Sequence, residues 1–243
     1  MLFFKKKTEL LNLEWLHTDM HSHLVPGIDD GAPDLDTSLQ LIKEFAKLGY
    51  KKVITTPHIL WDIYPNTPEI ITNGIQQVKN AILEAGIDIE IKAAAEYFID
   101  EHFTTELKNK KPLLTLQDNL VLVEFSMLNA PMDLQEVLFE LQMQNYQPVI
   151  AHPERYTYLA RKKEIFDELK TAGCYFQLNL LALTGYYGNS VQELAGYLIK
   201  KEYYDYAGTD VHHLKHLAAL QKLASSSLLK KLKDAGKLKN QLL

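Results

Sequence analysis

Seven short apolar runs, each followed by a helical pattern, are the feature of this sequence that most constrains its fold. The runs lie at 15–20, 52–56, 87–95, 120–125, 147–151, 174–178 and 205–208. Most are rich in Val, Ile, Tyr or Phe, as buried strands are. Residues at their ends recur every 27 to 38 positions. This even spacing predicts an α/β fold, a distorted seven-stranded (β/α)7 TIM-like barrel. An open doubly wound sheet is the alternative.

Between the runs, apolar residues recur at the spacing of an amphipathic helix. The predicted helices span 36–48, 73–85, 134–144, 163–172 and 191–201. We expect Asp36 or Thr37 to cap the first of them. Gly49, Gly86 and Gly173 lie just past predicted helix ends, where a left-handed backbone conformation is favoured.

No internal linker rich in Gly, Ser or Pro interrupts the chain, so a single domain over residues 1–243 is expected. Residues 1–13 are predicted to be a flexible tail. Residues 214–243 are predicted to form a terminal amphipathic helix, which could break near 225–227. Residues 1–7 carry their charge after their apolar residues, the reverse of a secretory signal. A frayed tail is the first interpretation of this segment, and a weak contact with an acidic membrane surface is the second.

Composition excludes several classes of protein. The chain has 243 residues, of which 47% are hydrophobic and 23% charged, so it is neither disordered nor fibrous. Its net charge of −5 disfavours a nucleic-acid partner. The single cysteine, Cys174, requires no oxidising compartment. No apolar stretch approaches the roughly 18 residues of a membrane span. We therefore expect a cytoplasmic protein without stable membrane insertion.

Ionisable residues cluster where the predicted strands end. His21 and His23 are two residues apart in an extended segment, so both imidazoles project from one face and can reach one ion. Glu124 lies in an apolar strand, where a carboxylate needs a partner or a cation. The full set of candidate metal ligands is His21, His23, Asp30, His58, Glu96, Glu124, His152, Asp210 and His212.

The joint pattern predicts a metal centre, because barrel active sites are built at the carboxyl ends of the strands. Four carboxylates and five imidazoles suit Mn, Fe, Zn or Mg better than a sulfur-bound cluster. Nine ligands divide naturally among three ions that share a carboxylate. His17, His102 and His213 match no ligand position.

A series of motifs carries a resemblance to a known superfamily. In chain order they are Asp-x-His-x-His, Asp-Asp-Gly, Thr-Pro-His, Ala-Glu-Tyr, Val-Glu-Phe-Ser, His-Pro-Glu-Arg-Tyr and Thr-Asp-x-His. Together they resemble the PHP (polymerase and histidinol phosphatase) superfamily over about residues 16–213. The most similar branch is that of the metal-dependent bacterial protein-tyrosine phosphatases of capsule and exopolysaccharide synthesis. This resemblance implies a distorted seven-stranded barrel that holds three divalent metal ions, with Mn expected first.

The resemblance also implies roles for individual residues. The implied ligand sets are His21, His23, Glu96 and Asp210 for the first ion, a bridging Glu96 with Glu124 and His152 for the second, and Asp30, His58 and His212 for the third. Two further residues are implied in catalysis: Asp19 would orient an imidazole, and Arg155 would bind phosphate. Relatives often carry another arginine after the last motif, where this chain has Lys215 and His216. Either residue could substitute, or Arg155 and the metals could hold the phosphate alone.

The implied chemistry is hydrolysis of a phosphate monoester by a metal-activated hydroxide. Three divalent ions and four carboxylates would leave a local charge of about +2, which favours a dianionic phosphate. No protein nucleophile is needed, and Cys174 lacks the arginine six residues later that cysteine phosphatases carry. The expected substrate is protein phosphotyrosine, in the tail of a bacterial tyrosine kinase that controls polysaccharide synthesis.

Other interpretations stay open. A small-molecule phosphatase such as histidinol-phosphate phosphatase, a TatD-like nuclease, an amidohydrolase or a non-enzymatic metal-bound scaffold share parts of this pattern. Four tyrosines flank the fifth and sixth strand ends and could either pack at the rim or stack on a phosphotyrosyl ring; they are Tyr156, Tyr158, Tyr186 and Tyr187. Asn179 could serve the site or the fold.

Overall fold

A computed structural model describes residues 10–243, so the interpretations of residues 1–7 lie outside the described part of the chain. Within it, nine short parallel strands form a curled sheet. They are β1 (Thr18–Asp19), β2 (Lys52–Thr55), β3 (His58–Ile59), β4 (Glu90–Ala93), β5 (Glu96–Phe98), β6 (Leu120–Glu124), β7 (Gln147–Ala151), β8 (Tyr175–Asn179) and β9 (Tyr206–Gly208). The predicted α/β architecture with a parallel sheet is confirmed.

The strands are divided between two sheets, in the orders β1-β2-β4 and β3-β5-β6-β7-β8-β9. At two of the seven predicted positions the structure has two strands, because β3 and β5 follow just beyond the predicted runs 52–56 and 87–95, which contain β2 and β4. The first split falls at Pro57, which has no N–H to give to a neighbouring strand. There the Thr56 N–H donates instead to the Ser22 carbonyl, at 2.7 Å. The simple prediction of seven uninterrupted strands was therefore wrong.

The first predicted run also differs from expectation. Residues Glu14–Leu16 form a 3-10 turn, and His17 has a φ of 65°, which takes the backbone out of the extended region. Only the two residues of β1 remain as strand. The side chains of Leu11 and Leu13 are buried, and the Leu13 N–H donates to the Leu48 carbonyl. The predicted tail over residues 1–13 was therefore too long, because residues 11–13 pack into the core.

Eight α-helices occur between residues 10 and 243. They are α1 (Leu35–Lys47), α2 (Pro68–Glu84), α3 (Glu101–Lys108), α4 (Leu134–Met143), α5 (Glu164–Thr171), α6 (Asn189–Lys200), α7 (Leu214–Leu220) and α8 (Ser227–Ala235). The cap of α1 is Asp34, whose carboxylate accepts from the Thr37 N–H, so the predicted caps were wrong. Helix α2 starts earlier than predicted because Thr67 caps it and Pro68 occupies its first position. Helix α3, capped by Asp100, was not predicted.

The predicted terminal helix is divided into two helices, α7 and α8, and the break lies close to the expected position at 225–227. A 3-10 turn over Gln221–Ser225 follows α7, and the Ser226 hydroxyl then accepts from the Leu229 N–H to start α8. The break lies where the sequence places three successive serines. Among residues 10–243, we find no helix with both the length and the apolar character needed to cross a bilayer.

Successive side chains along a strand point to opposite faces of the sheet, and this places apolar residues in two layers. Val121 and Val123 of β6 pack outward against the helices, whereas Leu122 between them packs inward with Ile54 and Val149 of neighbouring strands. The inward layer fills the interior of the curled sheet. The same alternation directs the side chain of Glu124, at the end of β6, to the inner face.

The first and last strands face each other across a seam that has little direct strand pairing. At one end, Ser22 and Val211 form an isolated parallel bridge. At the other end, the buried side chain of Asn240 accepts from the Ala207 N–H at 2.9 Å. Its amide donates to the carbonyls of Thr18 and Ala207, at 2.9 and 2.6 Å. One side chain near the carboxyl end thus supplies the hydrogen bonds that β1 and β9 do not make to each other.

We predict that Asn240→Ala destabilises the protein by about 2 to 4 kcal/mol, because it leaves buried backbone groups of both strands without partners. Urea unfolding followed by circular dichroism measures the loss. Asn73→Ala, on the exposed face of α2, is the matched control and should change stability by less than about 0.5 kcal/mol. Equal stability of the two variants would contradict this role of Asn240.

Candidate metal centre

The structure brings all nine candidate ligands together at the carboxyl ends of the strands. They fall into four overlapping groups whose ligand atoms lie within 4.8 Å of one another. The groups are His23, Asp30, His58 and His212; His21, His23 and Glu96; His21, His152 and Asp210; and His58, Glu96 and Glu124. Since the strands are parallel, their carboxyl ends meet at one edge, and residues distant in sequence become neighbours there.

His21 and His23 follow β1 and share the same two carboxylates. The Nε2 atom of His21 lies 3.2 Å from Glu96 Oε2 and 3.3 Å from Asp210 Oδ1. The Nε2 atom of His23 lies 3.5 and 3.4 Å from the same two oxygens. The two Nε2 atoms are 3.4 Å apart. Both rings therefore present their outer nitrogen to one point between the carboxylates.

Glu96, at the start of β5, lies in the middle of the cluster. Its Oε1 is 3.0 Å from Nε2 of His152, and its Oε2 is 3.2 Å from Nδ1 of His58. Glu124 lies 3.1 Å from His58 and 3.7 Å from His152. Glu96 thus touches ligands of several groups, as a shared carboxylate would.

Asp30 marks the outer edge of the cluster. Its carboxylate is about half exposed and lies 3.5 Å from His58 Nε2 and 3.4 Å from His212 Nε2. His21, His23 and Glu96, in contrast, are fully buried. The ligand cluster therefore extends from the interior of the sheet to the surface.

The observed grouping differs in part from the implied sets. His23 joins Asp30, His58 and His212 in one group, and His58 also joins Glu96 and Glu124 in another. His152 groups with His21 and Asp210, although it also contacts Glu96. Several residues thus lie within reach of two groups.

The buried polar atoms of the cluster fit divalent cations. Glu96 Oε2 and His58 Nδ1 are close, yet neither has a hydrogen-bond partner among the described residues, and His152 Nδ1 also lacks one. A buried carboxylate oxygen without a partner is costly unless a cation neutralises it. Imidazole nitrogens and carboxylate oxygens that converge in this way suit Zn, Mn, Fe or Mg.

Two ligands have unusual backbone conformations. His152 and Asp210, at the ends of β7 and β9, have φ angles of 34° and 51°. This left-handed region is unfavourable for residues with a Cβ and is found preferentially at functional sites. The conformation ends each strand sharply at the point where its ligand enters the cluster.

The charges of the cluster shift the pKa values of its members strongly. Burial alone would lower the pKa of His21, but the carboxylates of Glu96 and Asp210 raise it to about 9. Burial likewise would raise the pKa values of Glu96 and Asp210, but the surrounding imidazoles hold both well below their usual range. The site is therefore a strong attractor of positive charge, whether protons or metal ions.

Two residues that the sequence analysis did not single out orient the histidines. The side-chain oxygen of Gln177, in β8, accepts from His21 Nδ1 at 3.0 Å and from the backbone N–H of His152 at 3.1 Å. Asp29 accepts from His23 Nδ1 at 2.8 Å. The two ring contacts leave Nε2 of His21 and Nε2 of His23 free to bind a metal. Asp29 had a signal, because it adjoins Asp30 in the Asp-Asp-Gly motif, whereas Gln177 sits inside an ordinary apolar run.

Asp19 does not orient an imidazole through a hydrogen bond, so that expectation is corrected. Its carboxylate accepts from the Thr209 N–H at 2.8 Å and from the Thr209 hydroxyl at 3.2 Å. Burial raises the pKa of Asp19 to about 7, against the effect of these hydrogen bonds. Asp19 instead ties β1 to the segment that carries Asp210.

Arg155 lies beside the cluster and is held in place from two directions. Its guanidinium donates to Asp210 Oδ2 at 3.0 Å and lies over the ring of Tyr187, 4.7 Å from the centroid. Asn179 donates to the same Asp210 oxygen at 2.7 Å and to the Tyr187 hydroxyl at 3.2 Å. Asn179 is in turn fixed by Glu154, a buried carboxylate that accepts from its N–H. Asn179 thus serves both the fold and the site.

A cavity of about 480 Å³ reaches the cluster, and its lining includes Asp30, His58, Glu124, Asp210, His212 and Arg155. Its apolar side is formed by Leu60, Tyr64, Phe98, Phe125 and Met127. Two histidines outside the nine, His213 and His216, complete the lining. A larger groove of about 840 Å³ between α4 and α5 contains none of the nine candidate ligands.

The four tyrosines near the strand ends have different positions. Tyr156 is fully buried and stacks on Phe125 at 4.0 Å, so it packs in the core. Tyr158 donates to the Ser126 carbonyl. Tyr187 lines the cavity, and Tyr186 is partly exposed next to it. Aromatic residues that the sequence analysis did not select, such as Tyr64 and Phe98, line the cavity instead.

The three histidines predicted to be non-ligands lie outside the four groups. His17 approaches the hydroxyl of Thr18 at 3.3 Å. His102 stacks on Trp61 with a centroid distance of 3.8 Å. His213 lies at the rim of the cavity.

Comparison with known proteins gives a consistent result. A family model described as "Capsular polysaccharide synthesis, CpsB/CapC" matches residues 17–239. Tyrosine-protein phosphatase YwqE of Bacillus subtilis (strain 168) is 27% identical over 198 residues, which are 81% of this chain and 78% of that protein. Tyrosine-protein phosphatase CpsB of Streptococcus pneumoniae is 29% identical over 202 residues, 81% of this chain and 83% of that protein.

The fold is similar to that of solved relatives. A chain from the crystal structures of YwqE from Bacillus subtilis and CpsB from Streptococcus pneumoniae matches with a TM-score of 0.77 and 25% identity. The match covers 92% of this chain and 94% of that one, and those proteins are described as unique metal-dependent tyrosine phosphatases. Since the family model spans nearly the whole sequence, the chain belongs to the CpsB/CapC family of capsular polysaccharide synthesis.

Proposed function

We propose that this protein is a metal-dependent phosphatase that hydrolyses phosphotyrosine in proteins. The observation that carries the proposal is one cavity lined by ligands from three of the four candidate metal groups, by an arginine and by several apolar side chains. The names of the relatives and the CpsB/CapC family membership support the same activity.

We infer that the nine ligands hold three divalent cations, with Mn the first candidate and Fe, Zn or Mg the alternatives. His21, His23, Glu96 and Asp210 would hold one, Glu96 with Glu124 and His152 the second, and Asp30, His58 and His212 the third. Divalent cations bound there supply Lewis acidity and a water acidified toward neutral pH. Asp29 and Gln177 orient two of the ligating rings.

Arg155 neutralises charge on the phosphoryl oxygens of the substrate. Its guanidinium reaches the cavity while Asp210 and Tyr187 restrain it, so little side-chain entropy is lost when phosphate binds. Burial would lower the pKa of Arg155, but Asp210 and its other anionic neighbours raise it, so the group stays charged. A fixed positive charge of this kind stabilises the transition state of phosphoryl transfer.

The reaction needs no cysteine nucleophile. Cys174 is buried, and burial raises the pKa of its thiol to about 11. It precedes β8 at the amino end, whereas the candidate ligands lie at the carboxyl ends of the strands. A protonated, inaccessible thiol cannot attack phosphorus.

The apolar side of the cavity favours an aryl phosphate. A phosphotyrosyl ring can pack against Phe98 and Met127 while its phosphate reaches Arg155. A phosphoseryl side chain is shorter and has no ring to pack. The phenol leaving group, with a pKa near 10, also departs more easily than an alkoxide.

We propose that the substrate is the tyrosine-rich tail of a bacterial kinase of polysaccharide synthesis and that the reaction takes place in the cytoplasm. The support is the family's description and the phosphatase names of the relatives.

We also infer that the two sheets act as one seven-unit barrel, since the Ser22–Val211 bridge joins its first and last strands.

The metal assignment predicts more than two divalent ions per chain in gently purified protein, measured by elemental analysis. His21→Ala, His152→Ala and Asp210→Ala should each lower kcat/KM by roughly 10²-fold or more, because each removes a ligand. Cys174→Ser is the control and should retain activity. One ion or fewer under metal-replete conditions would contradict a trinuclear centre.

The orienting role of Asp29 predicts that Asp29→Asn weakens metal binding by about 10- to 100-fold while the protein stays folded. The amide cannot accept from His23 Nδ1–H with the strength of a carboxylate. Metal affinity is measured by competition with a fluorescent chelator. Asp36→Asn, on the first turn of α1, is the matched control. An unchanged affinity in Asp29→Asn would show that His23 needs no orienting carboxylate.

The substrate assignment predicts a clear preference for phosphotyrosyl over phosphoseryl peptides of the same sequence, measured as kcat/KM with added Mn. Histidinol phosphate and single-stranded DNA should be poorer substrates. A ratio near one, or a preference for histidinol phosphate, would favour a small-molecule phosphatase. Cleavage of DNA would favour the nuclease, and no turnover of para-nitrophenyl phosphate would favour a non-enzymatic scaffold.

A further inference from the structure

The cavity that reaches the metal ligands is bordered by exposed apolar side chains. Of the twelve exposed large hydrophobic residues between residues 10 and 243, five are next in sequence to a residue that lines the cavity. Consecutive Cα atoms are about 3.8 Å apart, so these five residues lie at the edge of the cavity. A group of exposed apolar side chains of this kind marks a contact surface. We call the five residues the apolar margin; they are Trp61, Ile63, Leu128, Tyr186 and Leu214.

Two members of the apolar margin lie on a tight turn whose base is fixed. Leu60 and Tyr64 both line the cavity and form an antiparallel bridge, so residues 61–63 make the turn between them. The Tyr64 N–H donates to the Leu60 carbonyl at 2.7 Å, and the Leu60 N–H donates to the Tyr64 carbonyl at 3.2 Å. The ring of Tyr64 also stacks on that of His58, with centroids 5.6 Å apart. The turn is therefore held next to the candidate metal ligands.

The same turn is fixed from a second element. The Trp61 N–H donates to Asp100 Oδ2 at 3.2 Å, and the Trp61 ring stacks on that of His102 at 3.8 Å. Asp100 is itself held, because its other oxygen caps α3. Ile63, in the same turn, keeps 62% of its surface exposed. Since the turn is already ordered, a ligand that covers Ile63 loses little binding free energy in ordering it.

Leu128 is presented in a similar way by the loop that follows β6. It is next to Met127 of the cavity lining, and its side chain is 85% exposed. The Leu128 N–H donates to the Ser126 hydroxyl at 3.1 Å, and the Tyr158 hydroxyl donates to the Ser126 carbonyl at 3.1 Å. A second exposed aliphatic side chain thus lies on backbone that hydrogen bonds hold in place.

A phosphotyrosine in a protein enters the cavity together with its neighbours in the chain. When its phosphate reaches Arg155 and its ring packs against Phe98 and Met127, its backbone is brought to the edge of the cavity. Residues in an extended peptide are about 3.5 Å apart, so those just before and after the phosphotyrosine pass over the apolar margin. Apolar side chains at those positions would be removed from water there.

One residue of the turn disfavours a lipid bilayer as the partner. Asp62 lies between Trp61 and Ile63 and is exposed. A carboxylate that enters the apolar part of a bilayer is costly, and anionic headgroups would repel it. A bound peptide, in contrast, can cover Ile63 and leave Asp62 in water.

We propose that the apolar margin binds apolar side chains that flank the phosphotyrosine, so that the protein selects phosphotyrosines in an apolar sequence. Ile63 and Leu128, the most exposed members of the margin, are the specificity-determining residues. This inference rests on the proposed phosphotyrosine phosphatase function and adds a determinant of substrate choice outside the metal centre.

Two matched phosphotyrosyl peptides test the proposal. One has leucine at the two positions on each side of the phosphotyrosine, and the other has serine there. The measurements are kcat/KM for both peptides on Mn-loaded protein, and the Kd of versions with a non-hydrolysable phosphonate, by fluorescence anisotropy. The variants are Ile63→Ser, Leu128→Ser and their combination. Leu83→Ser is the matched control, because Leu83 is also exposed but lies near the end of α2 and does not line the cavity.

We expect the wild-type protein to favour the leucine peptide about 10-fold, because apolar surface is buried when it binds. Ile63→Ser and Leu128→Ser should each reduce this preference to about 3-fold, and the combination should abolish it. Leu83→Ser should keep the wild-type preference. The ratio between the two peptides isolates the contact, since a general loss of structure or of metal would lower both values alike.

The proposal is wrong if the wild-type protein does not distinguish the two peptides, or if the combined variant keeps the preference. Co-sedimentation with vesicles of phosphatidylcholine and phosphatidylglycerol in equal amounts tests the bilayer. Vesicle binding that needs Ile63 and Leu128, with a peptide preference that does not, would overturn the proposal in favour of a membrane contact.

Failure of the proposed function has a different signature. It fails if the wild-type protein hydrolyses neither peptide nor para-nitrophenyl phosphate. The Kd values of the two phosphonate peptides need no turnover and still decide whether the apolar margin selects apolar neighbours. Equal Kd values would contradict the proposal in that case as well.

Discussion

The negative charge of three buried carboxylates in the ligand cluster, Glu96, Glu124 and Asp210, is the constraint on which the site depends. Glu96 and Asp210 are almost completely buried, and each contacts both His21 and His23. Such a group is stable only when positive charge neutralises it, by protons on the imidazoles or by bound cations. The strained backbone at His152 and Asp210 is maintained for the same reason. The fold thus contributes stability elsewhere so that this cluster can exist, which is the usual relation between a scaffold and a metal site.

Alternation and spacing made much of the candidate site predictable. His21 and His23 are two residues apart, so both side chains project from the same face of an extended segment. The charge of Glu124, inside an apolar run, needs polar or charged partners on the inner face of its strand. Asp29 and Gln177 were not found, because their roles depend on which ring nitrogen faces them in three dimensions. The backbone conformation of His17 delays the start of the first strand, and no side-chain pattern encodes it. The split at Pro57 follows from its missing N–H, but the sequence does not show which carbonyl the neighbouring Thr56 N–H contacts instead.

The charged residues and the apolar residues of the cavity have different roles in binding a substrate. The lining of the cavity combines candidate metal ligands and Arg155 with aromatic and apolar side chains such as Tyr64 and Phe98. Charge attracts any phosphate ester, so it gives affinity without selectivity. The apolar wall distinguishes esters by the group attached to the phosphate. A change of substrate class among similar folds is therefore expected to alter this wall while leaving the cluster intact.

The seam between β1 and β9 has a consequence for how the protein is made. Asp19 and Thr209, which hydrogen-bond across it, are 190 residues apart, and Asn240 completes it from still farther along the chain. On the ribosome, β1 can pair with β2 early, but its edge that faces β9 must wait until residues 206–240 have been translated. His21 and Asp210 meet only after that step. A nascent chain that has not yet reached residues 210–212 therefore lacks part of the set of candidate ligands.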